Sequence, residues 1–277
     1  MIDLQVERPV IMGILNVTPD SFSDGGKFIG IDAAIKHAML MIEEGADIID
    51  IGGESTRPGS ERVNAEEQKQ RVLPVIEEIN KNKPETASIS IDTTLAAVAE
   101  AALRAGADMV NDISAGRDDP GMFSLIADRQ CPCVLMHMQG TPRTMQDHPF
   151  YTNVVDEVKQ FLLGRADAAI AAGIMKNNII IDPGIGFGKT KEHNLEIMSC
   201  LDQFVNTGYP VLLGVSRKRF IGSICMDTAP ELLTGATCAT TVLGVGAGVR
   251  IFRVHDVREN RQAADVAWTV KKSTGPG

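Results

Sequence analysis

The sequence predicts an α/β protein, a single (β/α)8 barrel over residues 1–277 with its active site at the carboxyl ends of the strands. Three observations favour this fold. Short runs rich in Val and Ile occur eight times, each is followed by a segment of helical periodicity, and the length leaves about 35 residues for each strand-helix unit. A doubly wound open sheet is the alternative, since it alternates strands and helices in the same way. The chain has no linker rich in Pro, Gly or Ser, so one domain is expected.

The predicted strands are short apolar runs, of which most end in polar residues or Gly. They are residues 10–18, 47–53, 88–93, 108–113, 133–138, 179–184, 211–216 and 249–256. Apolar residues recurring at three and four positions predict helices at 32–44, 65–80, 94–105, 120–129, 154–172, 192–204, 230–244 and 258–272. The same junction of helix, Gly-Ala-Asp turn and strand occurs at 43–52 and at 103–113, which indicates a repeated unit.

Composition excludes several classes of function. The net charge of −9 argues against a nucleic-acid partner, which would need a basic face. The apolar runs are strand-sized, shorter than the roughly 18 residues of a membrane span, and the first residues lack the basic segment of a secretory signal. A cytoplasmic protein without a membrane partner is therefore expected. The five cysteines have neither zinc-binding nor disulfide spacing, so reduced, mostly buried thiols are expected.

Two glycine-rich stretches resemble nucleotide-binding loops but depart from them. In IIIDPGIGFGKT at 179–190, a phosphate-binding loop would need glycine at the position of Pro183. In GVGAGV at 244–249, Val249 stands where a dinucleotide fingerprint has its third glycine, and the stretch ends a helical pattern instead of opening one. Neither stretch is therefore expected to bind a nucleotide, and the acid Asp182 needs another explanation.

Polar residues collect where the predicted strands end, which is where a barrel carries its chemistry. Asp92, Asn111 and Asp182 are expected to face a ligand rich in N–H donors, because such groups are costly to bury unpaired. Arg253 and His255 suit an anion such as phosphate or diphosphate, and Arg57 is grouped with them by residue type. A polar heterocycle with a phosphate-type leaving group is implied. The loops at roughly 19–31 and 53–64 are long, as expected of mobile active-site covers.

Seven stretches, in order along nearly the whole chain, resemble the dihydropteroate synthase family. They are NVTPDSFSDGG (16–26), IGGESTRPGS (51–60), SIDT (90–93), NDISAG (111–116), DPGIGFGK (182–189), GVSRKRFIG (214–222) and RVHDV (253–257). The resemblance implies a TIM barrel and a folate-biosynthesis transferase. Such an enzyme condenses 6-hydroxymethyl-7,8-dihydropterin diphosphate with 4-aminobenzoate, giving 7,8-dihydropteroate and diphosphate. It also implies Mg²⁺ as cofactor and a homodimer.

The resemblance implies roles for individual residues. The implied pterin diphosphate site is Thr56, Asp92, Asn111, Ile113, Met136, Asp182, Gly214, Lys218, Arg253 and His255. The implied 4-aminobenzoate site is Phe22, Thr56, Arg57, Pro58, Phe187, Ser216 and Lys218. Asn16 is the implied metal ligand, and the implied catalytic residues are Asp24, Asp92, Lys218 and Arg253.

Other interpretations stay open at this point. Asp92 and Asp182 could be helix N-caps, His137 a satisfied histidine at the barrel rim, and residues 216–219 a solvated run of charge. A pterin-dependent methyltransferase of similar barrel architecture would share the acids, but it has no use for Arg57, Lys218 and the Arg253/His255 pair together. A non-catalytic pterin-binding barrel should have lost the anion-binding residues.

Overall fold

The computed structural model describes residues 8–18, 27–54 and 62–273. Its eight strands are all parallel and follow the order β6-β5-β4-β3-β2-β1-β8-β7. A bridge between Ile181 and Val211 joins the two outer strands, so the sheet closes. The predicted (β/α)8 barrel is confirmed, and the open sheet is wrong.

The strands lie inside the predicted runs and are shorter than them. They are β1 (Val10–Asn16), β2 (Ile48–Gly52), β3 (Ser88–Asp92), β4 (Met109–Asp112), β5 (Cys133–Met136), β6 (Ile179–Asp182), β7 (Leu212–Leu213) and β8 (Ile251–Val254). The last residues of most predicted runs leave the ladder and begin the loops at the carboxyl ends. Polar side chains at those ends are thereby placed at the barrel mouth.

The helices of the described ranges surround the barrel. They are α1 (Lys27–Glu43), α2 (Ala65–Asn82), α3 (Ala96–Ala105), α4 (Met122–Arg129), α5 (Val154–Ala171), α6 (Lys191–Ser199), α7 (Leu201–Val205), α8 (Arg219–Ile224), α9 (Thr234–Ala247) and α10 (Val257–Ser273). None of these described helices is long and apolar enough to cross a membrane.

Four details of the helix prediction are wrong. The segment 192–204 is two helices, because Cys200 has φ −119° and ψ 26° and interrupts the helical path. The short α8 was not predicted, and the helix expected from residue 230 begins only at Thr234, after a separate 3-10 turn at Pro230–Leu232. Since α1 already begins at Lys27, the first long loop ends before residue 31.

The core has two layers. Large apolar side chains fill the space between strands and helices, and a smaller cluster fills the floor of the barrel interior. The floor consists of Val10, Met12, Ile48, Met109, Val134, Ile180, Leu212 and Ile251. Because inward side chains recur every second residue, the next inward positions toward the mouth are two residues further along. In four strands that next residue is polar: Asp50, Asn111, Asp182 and Arg253.

Candidate active site

A guanidinium group connects three strands across the barrel interior. Arg253 on β8 donates from Nε to Oδ2 of Asp50 at 2.6 Å and from Nη2 to Oδ2 of Asp92 at 2.7 Å. The same Asp50 oxygen accepts from Nδ2 of Asn111 at 3.0 Å. Asp50 is 0% exposed, and its Oδ1 has no hydrogen-bond partner in the described part of the chain.

Asp50 is a site residue that the sequence analysis missed. It lies within the apolar run 47–53, which was used only to predict a strand. Its position along the strand could have identified it. Side chains two residues apart lie on the same face of a strand, so an acid two residues after the inward-facing Ile48 also points into the barrel.

Burial governs the electrostatics of this cluster. It raises the pKa of Asp92 to about 7, against the attraction of Arg253 and with the help of the Asp50 carboxylate. Burial also pulls down the pKa of Arg253, but the Asp50 and Asp92 carboxylates outweigh it and leave that pKa above its ordinary value. The guanidinium therefore stays charged, whereas Asp92 changes charge near neutral pH.

Asp182 ends β6 and shapes the loop that follows. Its Oδ1 accepts from the backbone N–H of Gly184 at 2.7 Å. Gly184 has φ +66°, and a Cβ there would lie 1.9 Å from the carbonyl oxygen of His137, so only glycine fits. Burial raises the pKa of Asp182, opposed first by Lys218.

Neither Asp92 nor Asp182 caps a helix, so that interpretation is wrong. Helix α3 has Leu95 at its N-cap, and its first backbone N–H, that of Ala96, donates to Asp119. Helix α6 is capped by Thr190 in a reciprocal arrangement with His193.

Lys218, after β7, joins two loops of the mouth. Its Nζ donates to the carbonyl oxygen of Ile185 and lies 4.3 Å from the centre of the Phe187 ring. Burial lowers the pKa of Lys218 to about 7, opposed by Asp182. The groups predicted to meet the two substrates, Lys218 and Phe187, are thus in contact.

Residues 216–219 are not a solvated run of charge. The Ser216 hydroxyl accepts from the backbone N–H of His255 at 3.1 Å and lies 2.9 Å from its Nδ1, which fixes the ring. Arg217 pairs with Asp256 through Nη2 at 2.5 Å. The loop after β7 is therefore attached to the end of β8.

Apolar side chains form one wall of the mouth. The cluster contains Ile113, Met136, Met138 and Met145, with Phe187 packed against it. The resemblance implied Ile113 and Met136 for the pterin and Phe187 for 4-aminobenzoate; Met138 and Met145 pack in the same cluster. Gly214 leaves room beside the site, since a Cβ there would lie 3.9 Å from Cβ of Arg253 and 4.0 Å from Oδ2 of Asp182.

Gln68 on α2 joins the two described ends of the 53–64 loop. Its Nε2 donates to Oε2 of Glu54 at 2.7 Å and to the carbonyl oxygen of Val63 at 2.9 Å. Its Oε1 accepts from the hydroxyl of Thr93 at 3.0 Å, directly after Asp92. The base of this loop is thereby fixed beside the acids.

The remaining predicted residues divide into two groups. Phe22, Asp24, Thr56, Arg57 and Pro58 lie outside the described residues. Asn16 ends β1 and is half-buried at the mouth, with its Oδ1 next to Gly52. Among the described residues, no group of three or more His, Cys, Asp or Glu side chains is arranged to hold a metal ion.

A closed parallel barrel whose strand ends gather buried acids, an amide and basic groups around one mouth defines a (β/α)8-barrel enzyme. Comparison with known proteins specifies it further. The family described as pterin binding enzyme matches residues 12–255, which run from β1 to the end of β8.

Individual relatives agree with this assignment. A dihydropteroate synthase of Synechocystis sp. is 45% identical over 268 residues, which are 95% of this chain and 91% of the relative. The structure of the Yersinia pestis dihydropteroate synthase with a sulfonamide drug has a TM-score of 0.91 at 39% identity, covering 98% of this chain and 96% of that one. The Xanthomonas albilineans enzyme with 4-aminobenzoic acid has a TM-score of 0.90 at 44% identity, covering 99% and 95%. This chain belongs to the dihydropteroate synthase family of pterin-binding enzymes.

Proposed function

We propose that this chain condenses 6-hydroxymethyl-7,8-dihydropterin diphosphate with 4-aminobenzoate, giving 7,8-dihydropteroate and diphosphate. The observation that carries this proposal is the convergence of buried Asp92 and Asp182 with basic Lys218 and Arg253 in one mouth, in a chain of this family. The Xanthomonas relative solved with 4-aminobenzoic acid supports the same second substrate here.

The pterin ring is flat, with N–H donors and acceptors along its edge and apolar faces on either side. Asp182 accepts from its amino and ring N–H groups, with Asn111 and Asp92 completing the polar edge. Lys218 donates to the ring carbonyl and nitrogen. Ile113 and Met136 cover the faces of the ring.

Breaking the bond from the pterin methylene carbon to the diphosphate oxygen creates two opposite charges. The dihydropterin delocalises the cation, and the carboxylates of Asp92 and Asp182 stabilise it. Arg253 has five N–H donors, of which Asp50 and Asp92 account for two, so others can bind the departing diphosphate together with His255. Prearranged charges of this kind stabilise a transition state by several kcal/mol, on the order of 3 for one donor.

The arylamine of 4-aminobenzoate then attacks the methylene carbon and loses a proton. This amine is nucleophilic already, so the protein needs to orient it. Phe187 and Ser216 lie on the two loops beside the pterin position. Phe22, Asp24, Thr56, Arg57 and Pro58, outside the described residues, are proposed to complete this pocket.

Mg²⁺ is proposed as cofactor, held by Asn16 and by the oxygens of the diphosphate. One amide oxygen suits this ion, because Mg²⁺ keeps several waters and commonly binds through few protein ligands plus substrate phosphates. When bound, it neutralises negative charge on the leaving group.

Two rival functions are disfavoured by the same residues. A methyltransferase of similar barrel would use the acids but not the basic cluster of Lys218, Arg253 and His255. A non-catalytic pterin-binding barrel would not need the anion-binding side chains either.

Incubation of the purified chain with dihydropterin diphosphate, 4-aminobenzoate and Mg²⁺ tests the proposal. We expect dihydropteroate and diphosphate in equal amounts. Pterin binding without either product would favour the non-catalytic function, and methyl transfer from a methylated pterin to a corrinoid protein would favour the methyltransferase.

A homodimer in the cytoplasm is proposed as the working state. Apolar side chains are exposed on the outer faces of α9 and α10, which pack side by side: Val242, Leu243, Val266 and Val270. Contact with a second copy would remove this patch from water. Sedimentation equilibrium is expected to give twice the mass of the chain, and a monomer across micromolar concentrations would contradict it.

A further inference from the structure

A buried lysine lies beneath the loop that follows β6. Lys189 is 3% exposed. Its Nζ lies 2.9 Å from Nδ1 of His137, 2.9 Å from the carbonyl oxygen of Gly184 and 3.1 Å from that of Phe187. An ammonium group has three N–H donors, which these three nearer acceptors match, and the carbonyl oxygen of His137 lies further away at 3.5 Å.

The partners of this ammonium group are neutral. Burial lowers the pKa of His137 well below its ordinary value, and the charges of Lys189 and Arg117 lower it further. The imidazole is therefore uncharged, and the lone pair of Nδ1 accepts from Lys189. Burial also lowers the pKa of Lys189 well below its ordinary value, which Asp182 opposes and Lys218 reinforces. The three acceptors around Nζ favour the ammonium form, since a neutral amine has only two N–H donors. A charge kept in the interior without a contacting carboxylate is costly, and its position calls for a functional explanation.

The loop held by Lys189 carries three groups of the active site. Residues 183–188 supply the Gly184 N–H to Asp182, the Ile185 carbonyl to Lys218 and the ring of Phe187. The carbonyls that Lys189 binds belong to Gly184 and Phe187, near the two ends of this loop. Lys189 therefore holds this loop near both of its ends, through the carbonyl oxygens of Gly184 and Phe187.

The loop has ties on its other sides as well. Gln146 donates to the carbonyl oxygen of Gly186 at 3.0 Å, and the Tyr151 hydroxyl donates to that of Gly188 at 2.7 Å. Asn194 accepts from the N–H of Gly186 at 2.7 Å. These contacts hold Gly186 and Gly188, whereas the contacts to Gly184 and Phe187 come from Lys189.

We propose that Lys189 is a positioning residue for the reaction: its ammonium group holds loop 183–188 in place, and with it the Gly184 N–H that meets Asp182 and the ring of Phe187. This inference rests on the proposed function. Lys189 acts through Asp182 and Phe187 and does not itself reach the substrates. The charged groups that act on Asp182 are Lys218, Lys189 and Arg253.

The test compares Lys189→Met, which keeps the chain length and removes charge and donors, with Lys191→Met, a partly exposed lysine near the same loop. Affinity for 6-hydroxymethylpterin is measured by calorimetry over a range of pH. We expect Lys189→Met to weaken binding at least about tenfold. This variant removes one cation near Asp182, so the pKa of Asp182 rises further. As the pH falls, the variant should therefore lose its affinity for 6-hydroxymethylpterin at a higher pH than the wild type does. Lys191→Met should follow the wild-type curve.

His137 offers a second pair of variants should Lys189→Met fail to fold. His137→Asn keeps an acceptor near the position of Nδ1, whereas His137→Leu removes it. We expect His137→Leu to shift the pH curve in the same direction and His137→Asn to stay closer to wild type. Equal curves for both variants, or an unchanged curve in folded Lys189→Met, would overturn the inference.

Wild-type synthesis of dihydropteroate is measured first. Its absence would refute the proposed function whatever the variants do. If synthesis occurs, an effect of Lys189→Met confined to the melting temperature, with wild-type KM for both substrates, would reduce Lys189 to a structural role.

Discussion

Arg253 donates from Nε to the fully buried carboxylate of Asp50 at 2.6 Å. The guanidinium proposed to bind the diphosphate is therefore already oriented by an acid that is distant from it in the sequence. An arginine held in this way loses little side-chain freedom when the anion arrives, which favours binding.

Replacing Asp50 should therefore impair catalysis without removing any group that touches substrate. In Asp50→Asn, the amide oxygen can still accept from Arg253 and Asn111 at the position of Oδ2, but the negative charge that holds the guanidinium is lost. We expect kcat to fall by up to about 100-fold, with a smaller change in pterin affinity. Steady-state kinetics on this variant and on Glu100→Gln, a partly exposed acid of α3, provide the measurement. Wild-type kcat in Asp50→Asn would show that Arg253 orients itself.

Removing the guanidinium should affect turnover more than ring binding. Its contact with the diphosphate strengthens as negative charge collects on the leaving group, so the loss belongs mainly to the transition state. For Arg253→Ala we expect kcat to fall on the order of 100-fold or more, with partial recovery in Arg253→Lys because a point charge cannot reproduce a two-pronged contact. Equal losses in kcat and in affinity for bare pterin would place Arg253 at the ring instead.

The charge of Asp92 should make stability depend on pH. Burial raises the pKa of Asp92 to about 7, so between about pH 4 and pH 7 the folded chain keeps a proton that the unfolded chain has lost. The free energy of unfolding contributed by this group therefore decreases as the pH rises through that window. Asn does not ionise, so the Tm of Asp92→Asn relative to wild type should increase from about pH 5 to about pH 8. Scanning calorimetry checks this, with the exposed Asp167→Asn as control. A difference in Tm that does not change with pH would contradict it.

Gly184 provides a test of the loop geometry. An added Cβ would lie 1.9 Å from the carbonyl oxygen of His137, so Gly184→Ala must displace the loop that carries Phe187. Gly208 has a similar positive φ, +82°, but nothing lies within 4 Å of its Cβ position. Gly208→Ala should thus show only the backbone strain, about 1 kcal/mol, with normal activity. Gly184→Ala should be less stable than that and lose pterin binding. Similar behaviour of both variants in denaturant titrations and binding assays would mean that the contact is easily relieved.

The barrel and the place of its chemistry were predictable because both follow from local patterns. Alternation of strand and helix predicts the fold, and the polar residue at the end of a strand lies at the mouth whatever the loops do. Asp92, Asn111, Asp182 and Arg253 were found by this rule.

Other parts depend on contacts between distant segments, which local patterns do not contain. The pairing of Asp50 with Arg253 joins β2 to β8, which lie on either side of β1, and the pairing of Lys189 with His137 depends on the path of two loops. Likewise, α3 is capped by Asp119 from the loop after the next strand, so the sequence near its first turn gives no indication of the cap.

The single bridge between Ile181 and Val211 makes the β6–β7 junction the seam of the barrel. Other neighbouring strands of the described chain pair over two to five residues. Asp182 is the last residue of β6 and Lys218 lies in the loop after β7, and Lys218 donates a hydrogen bond across this junction to the Ile185 carbonyl. A pterin that binds both side chains would therefore connect β6 and β7 at the place where the sheet has its fewest hydrogen bonds. Amide hydrogens near 181 and 211 are therefore expected to exchange faster than those of β1 and β2 in the empty enzyme, and to be the ones most slowed when the ring is bound.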